Sequence, residues 1–491
     1  MFRLDQASLA NLAPDIQKPV YDRAGIRPGI VHIGIGAFHR GHMAVYIDDV
    51  LERDPNWAII GASIRRPDTR DALAPQDHLY SVSAKSGEGI STRVIGSIVD
   101  IIDASASTRA LIARMAEPRI RIVSLTVTEK GYCHDPANGH LSTQHPDIVN
   151  DAIHPDTPRS VPAIIVAAAA LRRAGGHGGL TVLSCDNLQG NGKIAKTTVL
   201  EFARLRDASL AEWIEANFSF PSTMVDRIVP AISDGDKQDV EQRLGLADAW
   251  PVVTEPFSQW VIEDHFAAGR PDLTAVSAQL VPDVEPFELM KLRMLNGSHS
   301  TMAYLGQLAG HRFVSDAVAD ETLKALVSTL MTHEVIPTLD VQGIDLFAYR
   351  DALLRRFANP ALRHQLAQIA VDGSQKLPQR TVTPIRERLA HGKSIELLCL
   401  TLAGWIAYLA RLVRQEGTEP ADAMAARLAD VVKGEGSASE LVRKALSITE
   451  IFGDDMVNIE PVVQTVERHL ACLQDEGVGA AIHKALARID A

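Results

Sequence analysis

Residues 287–300 read Phe-Glu-Leu-Met-Lys-Leu-Arg-Met-Leu-Asn-Gly-Ser-His-Ser, and they hold the most reactive set of side chains in this chain. On a helix turning about 100° per residue, with Lys291 as origin, Glu288 falls at about 60°, His299 at about 80° and Asn296 at about 140°. One sector therefore gathers an amine, a carboxamide, an imidazole and a carboxylate. Leu289, Leu292 and Leu295 supply apolar surface beside them. Such a set suits the removal of a proton from a bound alcohol. The plain alternative is a capped, partly solvated helix with ordinary polar neighbours.

Those residues need a scaffold, and the chain changes character along its length. The first half alternates strand-like apolar runs (residues 29–34, 57–64, 93–99, 120–127 and 180–185) with helix-like stretches (41–53, 108–115 and 164–173). That alternation predicts a parallel sheet covered on both faces, and the uniformly apolar runs agree with two-sided burial. From about residue 285 long amphipathic stretches dominate: 287–308, 320–332, 362–371, 395–414 and 421–432. The expected fold class is α/β. A Rossmann-like dinucleotide-binding domain, residues 1–283, precedes a mainly α-helical substrate and catalytic domain, residues 284–491. Residues 234–282, polar and proline-containing, are expected to hold the boundary.

The first strand runs into Gly34-Ile-Gly-Ala-Phe-His-Arg-Gly-His42 and then a helix. In a dinucleotide fold the first glycine makes the tight turn, the second admits the pyrophosphate to the backbone, and the helix N-terminus supplies N–H donors. His39 stands where the third glycine of the usual fingerprint would be. Arg40 is a candidate for a phosphate contact or a solvated helix residue. After the second strand come Ile64-Arg65-Arg66, with Asp68 just beyond. An acid there holds the ribose hydroxyls of NAD, whereas paired arginines accommodate the 2′-phosphate of NADP. NAD is the expected cofactor, with NADP left open.

Length and composition bound the rest. A chain of 491 residues is too long for one core. A net charge of −12 and a pI near 5.8 argue against broad nucleic-acid binding. The four cysteines, Cys133, Cys185, Cys399 and Cys472, show no paired spacing, which gives neither a disulfide framework nor a thiolate zinc site and fits a reducing, cytoplasmic setting. Residues 1–15 lack the apolar core of a signal peptide. Residues 397–410 form an uncharged run too short to span a bilayer, expected as a buried helix. The expected partners are small molecules, with no nucleic acid, no membrane, and a monomer or small homo-oligomer.

Six segments in order complete a pattern: Gly34-x-Gly-x-Phe-His-Arg-x-His42, Thr126-Val-Thr-Glu-Lys-Gly-Tyr132, Ser184-Cys-Asp-Asn187, Met224-Val-Asp-Arg-Ile-Val-Pro230, Lys291-x4-Asn296-x2-His299 and Asp372-Gly-Ser-Gln-Lys-Leu-Pro378. Together they resemble the long-chain mannitol dehydrogenase family, which includes mannitol 2-dehydrogenase, arabinitol dehydrogenase and fructuronate reductase (mannonate oxidoreductase). The resemblance spans residues 29–454 and is most specific in the Lys/Asn/His block. It implies a metal-independent, NAD(P)-linked oxidoreductase acting at C2 of a polyol or aldonate, or on the matching 2-keto sugar, with substrate between the two domains. By that resemblance Lys291 is the general base in oxidation and the acid in reduction. Asn187 and Asn296 hydrogen-bond the reacting oxygen, His299 holds a neighbouring hydroxyl, and Glu288 lies on a proton path. Asp226 sits near nicotinamide and substrate. Gly34, Gly36, Ala37, Phe38, Arg40, Arg65, Thr128 and Lys130 are the cofactor-binding candidates. Lysine has an ordinary pKa of about 10.4, so a basic Lys291 must be lowered by about two to three, equivalent to roughly 3–4 kcal/mol.

A hexonate substrate brings a carboxylate into the site, so a dry pocket needs a cation besides the catalytic lysine. Lys376 and Arg380, in a segment expected to be a loop because of Gly373 and Pro378, are the leading candidates; Arg363 and Arg293 are weaker ones. The Gln-Lys-Leu-Pro-Gln-Arg wording resembles the fructuronate reductase branch, so that activity is the leading expectation, with a polyol 2-dehydrogenase as the alternative. A zinc alcohol dehydrogenase requires ligand spacing that His39/His42 and His134/His140 do not provide, and a short-chain Tyr-x-x-x-Lys pair is absent. A non-catalytic nicotinamide-binding sensor is a remote alternative, since the chain retains a full proton-transfer set.

Overall fold

The computed structural model describes residues 2–136, 138–434 and 436–489. They form two compact units, one ending at Glu285 and the other beginning at Pro286.

In the N-terminal unit the strands Pro28–Ile33, Ala58–Ser63, Ile98–Asp103, Ile122–Leu125 and Thr181–Ser184 build a wholly parallel sheet. Their spatial order is third, second, first, fourth, fifth. That order reverses direction between the first and fourth strands, and ligands of doubly wound sheets bind outside the carboxyl ends of the strands at such a point. Successive side chains of the first strand go to opposite faces. Val31 and Ile33 join the core made with helices Arg109–Ala116, Val161–Ala174 and Asn191–Arg206. Ile30 joins the core made with helix Met43–Leu51. Both faces are buried, so the strands are apolar throughout.

Three expectations for this unit change. The run 93–99 belongs to two elements: Gly89–Ile95 pairs antiparallel with Tyr80–Ser86, and Ile98–Asp103 is an edge of the parallel sheet. The chain turns at Gly96, whose N–H donates to Asp48 (2.9 Å) and whose carbonyl accepts from Arg23 Nε (3.1 Å). The helix expected over 41–53 starts earlier and is interrupted: Ala37–Gly41 and Met43–Leu51 meet at His42, with φ −124° and ψ −93°. Residues 234–282 lie within the N-terminal unit, and the division falls just after them, between Glu285 and Pro286. They fold into helix Asp234–Leu244 and strands Val252–Thr254, Gln259–Glu263 and Gln279–Val281, which complete two three-stranded sheets.

The C-terminal unit has no strand among its described residues. Helix Glu396–Arg414 is long and apolar enough to cross a membrane, yet its residues from Leu397 to Ile406 are all buried inside the unit. Its apolar character serves a core. The buried Glu334 carboxylate accepts the N–H groups of Leu397 (3.2 Å) and Leu398 (2.8 Å), orphan donors of that helix's first turn.

The expected helix over 287–308 runs from Glu285 to Leu308 in three parts: α-helix Glu285–Met290, a π turn Lys291–Asn296, and α-helix Gly297–Leu308. The segment expected to be a loop at Lys376 and Arg380 is helical as well: Gly373–Leu377, a second π turn Pro378–Val382, then Thr383–Ala390. Proline lacks the N–H that an α-helix would need. Here the wider turn absorbs it, and the Pro378 carbonyl accepts the Thr383 hydroxyl at 3.0 Å.

Candidate active site

At the carboxyl end of the first strand, Gly34 has φ +97°, and a Cβ there would lie 2.0 Å from the Thr126 carbonyl oxygen. Only glycine fits. Around Gly36 an added Cβ would meet nothing within 4 Å, so its backbone is open to approach. Gly36 and Ala37 are exposed and Phe38 is half-buried, its ring stacked on His42 at 5.0 Å. The position of the third glycine is filled from within the protein. His39 is fully buried and lies flat on His32 of the first strand, with ring centroids 3.4 Å apart. His32 in turn contacts Ser124 (2.8 Å) and Thr126 (2.9 Å). An imidazole pair thus joins helix to strand where backbone contact would ordinarily do so. Burial pushes His39 well below the usual histidine range and His32 down to about 3, so both rings are neutral.

Arg40 departs from its expected role. It is buried, donates to the Trp250 carbonyl and stacks over Tyr80 at 5.2 Å. A guanidinium turned into the protein in this way does not reach a phosphate at the turn. Arg65 and Arg66 are exposed just beyond the second strand, where a ribose would be read.

Thr128 and Lys130, beyond the fourth strand, are exposed. Thr128 has φ 64° and ψ 166°, a conformation that costs a non-glycine residue about 1–3 kcal/mol. Asp186 holds it there. Its buried carboxylate accepts the N–H groups of Val127 (3.0 Å) and Thr128 (2.8 Å) and the Tyr132 hydroxyl (2.7 Å). Burial raises the Asp186 pKa, and those three bonds oppose the rise. The sequence reading passed over Asp186; its one signal was an acid at a strand end directly before Asn187. Asn187 itself is exposed beyond the fifth strand. Asp226 is buried at the end of strand Thr223–Asp226. Its neighbour Arg227 donates to the carbonyls of Gly41 (2.7 Å) and Glu255 (3.1 Å). The glycine turn, the braced Thr128 segment and the open backbone at Gly36 fit a dinucleotide.

In the C-terminal unit the π turn revises the geometry expected for Lys291. It acts as one inserted residue, so positions beyond it step back by about 100°. Asn296 then comes to about 40° and His299 to about −20°, beside Glu288 at about 60°. The four side chains share a narrower sector than a regular helix would give. Lys291 is buried, with 9% of its surface exposed, and Glu288 and Asn296 are half-buried.

His299 packs on Phe357 (4.7 Å) and edge-on to His364 (5.3 Å), and its Nε2 has no hydrogen-bond partner among the described residues. Burial, followed by His364, Arg380, Arg356 and Lys291, drives its pKa well below the usual range. The imidazole is neutral within a cationic neighbourhood. Arg380, on the second π turn, reaches the first: its Nη1 donates to the Asn296 carbonyl (3.2 Å) and the Ser300 hydroxyl (3.1 Å). Burial pushes its pKa down to about 10. Lys376 donates to the carbonyls of Ile369 (3.1 Å) and Val371 (2.5 Å).

The weaker carboxylate candidates fall away. Arg293 is buried in a two-pronged pair with Glu387 (2.6 and 2.7 Å), and Arg363 is exposed over the Phe313 ring.

Two family signatures cover the chain: the mannitol dehydrogenase Rossmann domain over residues 28–275 and the mannitol dehydrogenase C-terminal domain over residues 283–474. D-mannonate oxidoreductase of Escherichia coli is 43% identical over 448 residues, 90% of this chain and 92% of that protein. Mannitol 2-dehydrogenase of Phaeosphaeria nodorum is 40% identical over 490 residues, 98% and 85% of the two chains. The structure of Pseudomonas fluorescens mannitol 2-dehydrogenase in ternary complex with NAD and D-mannitol superposes with a TM-score of 0.89 at 40% identity, covering 99% of this chain and 100% of that one. The chain belongs to the mannitol dehydrogenase family.

Proposed function

We propose that this protein is an NAD-dependent oxidoreductase interconverting a 2-keto hexuronate and its C2 alcohol, with fructuronate and D-mannonate as the pair. The class, a dehydrogenase acting on CH–OH groups of polyols or hexonates, follows from the family. The finer reading rests on one observation: the neutral, buried His299 lies in the field of two guanidinium groups, Arg380 and Arg356. That much positive charge suits a substrate bearing a carboxylate.

Bound NAD supplies the hydride acceptor. In oxidation Lys291 takes the proton of the C2 hydroxyl as the hydride leaves the same carbon, and in reduction it returns that proton. Its near-complete burial favours the uncharged amine such a base needs. Asn187 and Asn296 donate to the oxygen as negative charge develops, the preorganised arrangement that stabilises an alkoxide without solvent rearrangement. His299 holds the adjoining hydroxyl, Glu288 relays the proton, and Asp226 lies near the reacting carbon. Lys376 and Arg380 take the carboxylate. Gly34, Gly36, Ala37, Phe38, Thr128 and Lys130 hold the dinucleotide, and Arg65 its ribose.

A polyol 2-dehydrogenase is the second reading, favoured by the likeness to a mannitol-bound enzyme. Initial rates with fructuronate, tagaturonate and fructose, each with NADH and NADPH, separate the two. Fructuronate with NADH should give the highest kcat/KM; a preference for fructose would overturn the hexuronate reading.

A further inference from the structure

Away from the residues assigned to hydride transfer, Cys133, His145 and Asp147 come together, with one ligand atom from each within 4.8 Å of the other two. They arrive from two segments. Cys133 follows the turn Glu129–Tyr132 in a left-handed conformation, φ 51°. His145 is the N-cap of helix Pro146–Ile153, and Asp147 lies in that helix's first turn. We propose that this cluster binds a borderline-soft divalent cation of the Zn²⁺ class, with water completing its coordination, and that the ion ties the Glu129–Tyr132 turn to helix Pro146–Ile153 without entering the reaction.

A thiolate, an imidazole and a carboxylate form the mixed S, N, O donor set that Zn²⁺ accepts, and three protein ligands leave an open position. Bond lengths of about 2.0–2.3 Å put tetrahedral ligands roughly 3.3–3.7 Å apart. The cluster must therefore close by about 1 Å, and the His145 and Asp147 side chains, 34% and 48% exposed, have room to move. The His145 Nδ1 contact with the Asp147 N–H is long, 3.2 Å. Cys133 is the fixed ligand, buried, its thiol making weak contacts at 3.9 and 4.0 Å to the Lys130 and Gly131 carbonyls. Burial first, then Asp147 and Asp151, push its thiol up to about 12. Binding releases that proton to solvent as the sulfur–metal bond forms, and the metal's charge offsets the repulsion from the acids.

Co²⁺ titrated into the metal-stripped full-length protein is the test, read by the thiolate-to-cobalt charge-transfer band in the near-ultraviolet. One equivalent should bind with the band present, and Zn²⁺ should displace it and raise Tm. Cys133→Ser should abolish the band. His145→Gln and Asp147→Asn, at partly exposed positions where folding is safe, should each weaken binding at least tenfold. Cys472→Ser, at the half-exposed thiol beside Glu476, should change nothing. The proposal is overturned if wild type shows no band, if the band survives Cys133→Ser, or if neither His145→Gln nor Asp147→Asn weakens binding.

Discussion

Replacing Arg380 by methionine removes its charge while keeping most of its stem. Two effects are expected, because different nitrogens do different things. Nη1 holds the Asn296 carbonyl at 3.2 Å and the Ser300 hydroxyl at 3.1 Å. Hydrogen bonds from charged donors contribute about 1.5–3 kcal/mol each, so roughly 3–6 kcal/mol favours the native arrangement. Against that stands the cost of burying the guanidinium, visible in its fall from 12.5 to about 10 and worth about 3 kcal/mol. The terms nearly cancel, so stability should fall by less than about 3 kcal/mol. Catalysis should suffer far more. With the brace gone, the π turn can relax toward a regular helix and carry Asn296 away from Lys291. A displacement of about 1 Å costs on the order of 100-fold in rate, and fructose and fructuronate should lose it alike. The remaining donors, Nε and Nη2, are left for the carboxylate in the proposed reading. Their loss should lower the ratio of kcat/KM for fructuronate over fructose by a further 10- to 150-fold or about that, the equivalent of 1.5–3 kcal/mol. Steady-state kinetics on both substrates, alongside thermal denaturation, reads each effect separately. Undiminished turnover of fructose would refute the brace, and an unchanged substrate ratio would refute the carboxylate contact.

Lys291→Ala should lower kcat by at least about 1,000-fold while the Kd for NADH, measured by fluorescence titration, stays within about twofold; a lost cofactor affinity would make the lysine structural. Gly34→Ala forces a Cβ to 2.0 Å from the Thr126 carbonyl at φ +97°. It should weaken NADH binding at least tenfold or prevent folding of the N-terminal unit, and wild-type binding in a folded variant would contradict the role of the turn. Low pH should destabilise the protein through His32, His39 and His299, all depressed by burial. Above the unfolded value of about 6.5 both states are neutral and stability is flat. Below it only the unfolded chain takes up protons, so each ring removes about 1.4 kcal/mol per pH unit. Denaturant titrations from pH 7 to 5 should show this slope, and His39→Phe should reduce it by one ring's share; an unchanged slope would mean His39 is protonated in the folded state.

Much of this protein was legible in its residues one at a time. Uniformly apolar runs gave the parallel sheet because burial on both faces leaves no polar side, and the glycine turn announced itself because Gly34 occupies a conformation and a space no other residue tolerates. Lys291, Asn296 and His299 stood out because their polar types recur at a spacing that suits one helix, and they do lie on one helical stretch. What the sequence left undetermined depended on contacts between distant segments. The π turn that draws Asn296 toward Lys291 has no local signature; it is paired with a second π turn some eighty residues later through Arg380. Arg40 looked like a phosphate ligand until the Trp250 carbonyl, 210 positions away, claimed it. Asp186 looked like a neighbour of Asn187 until the strained Thr128 backbone gave it a purpose. Periodicity and residue type are properties of a short stretch of chain, whereas the partner of a buried charge is chosen by folding.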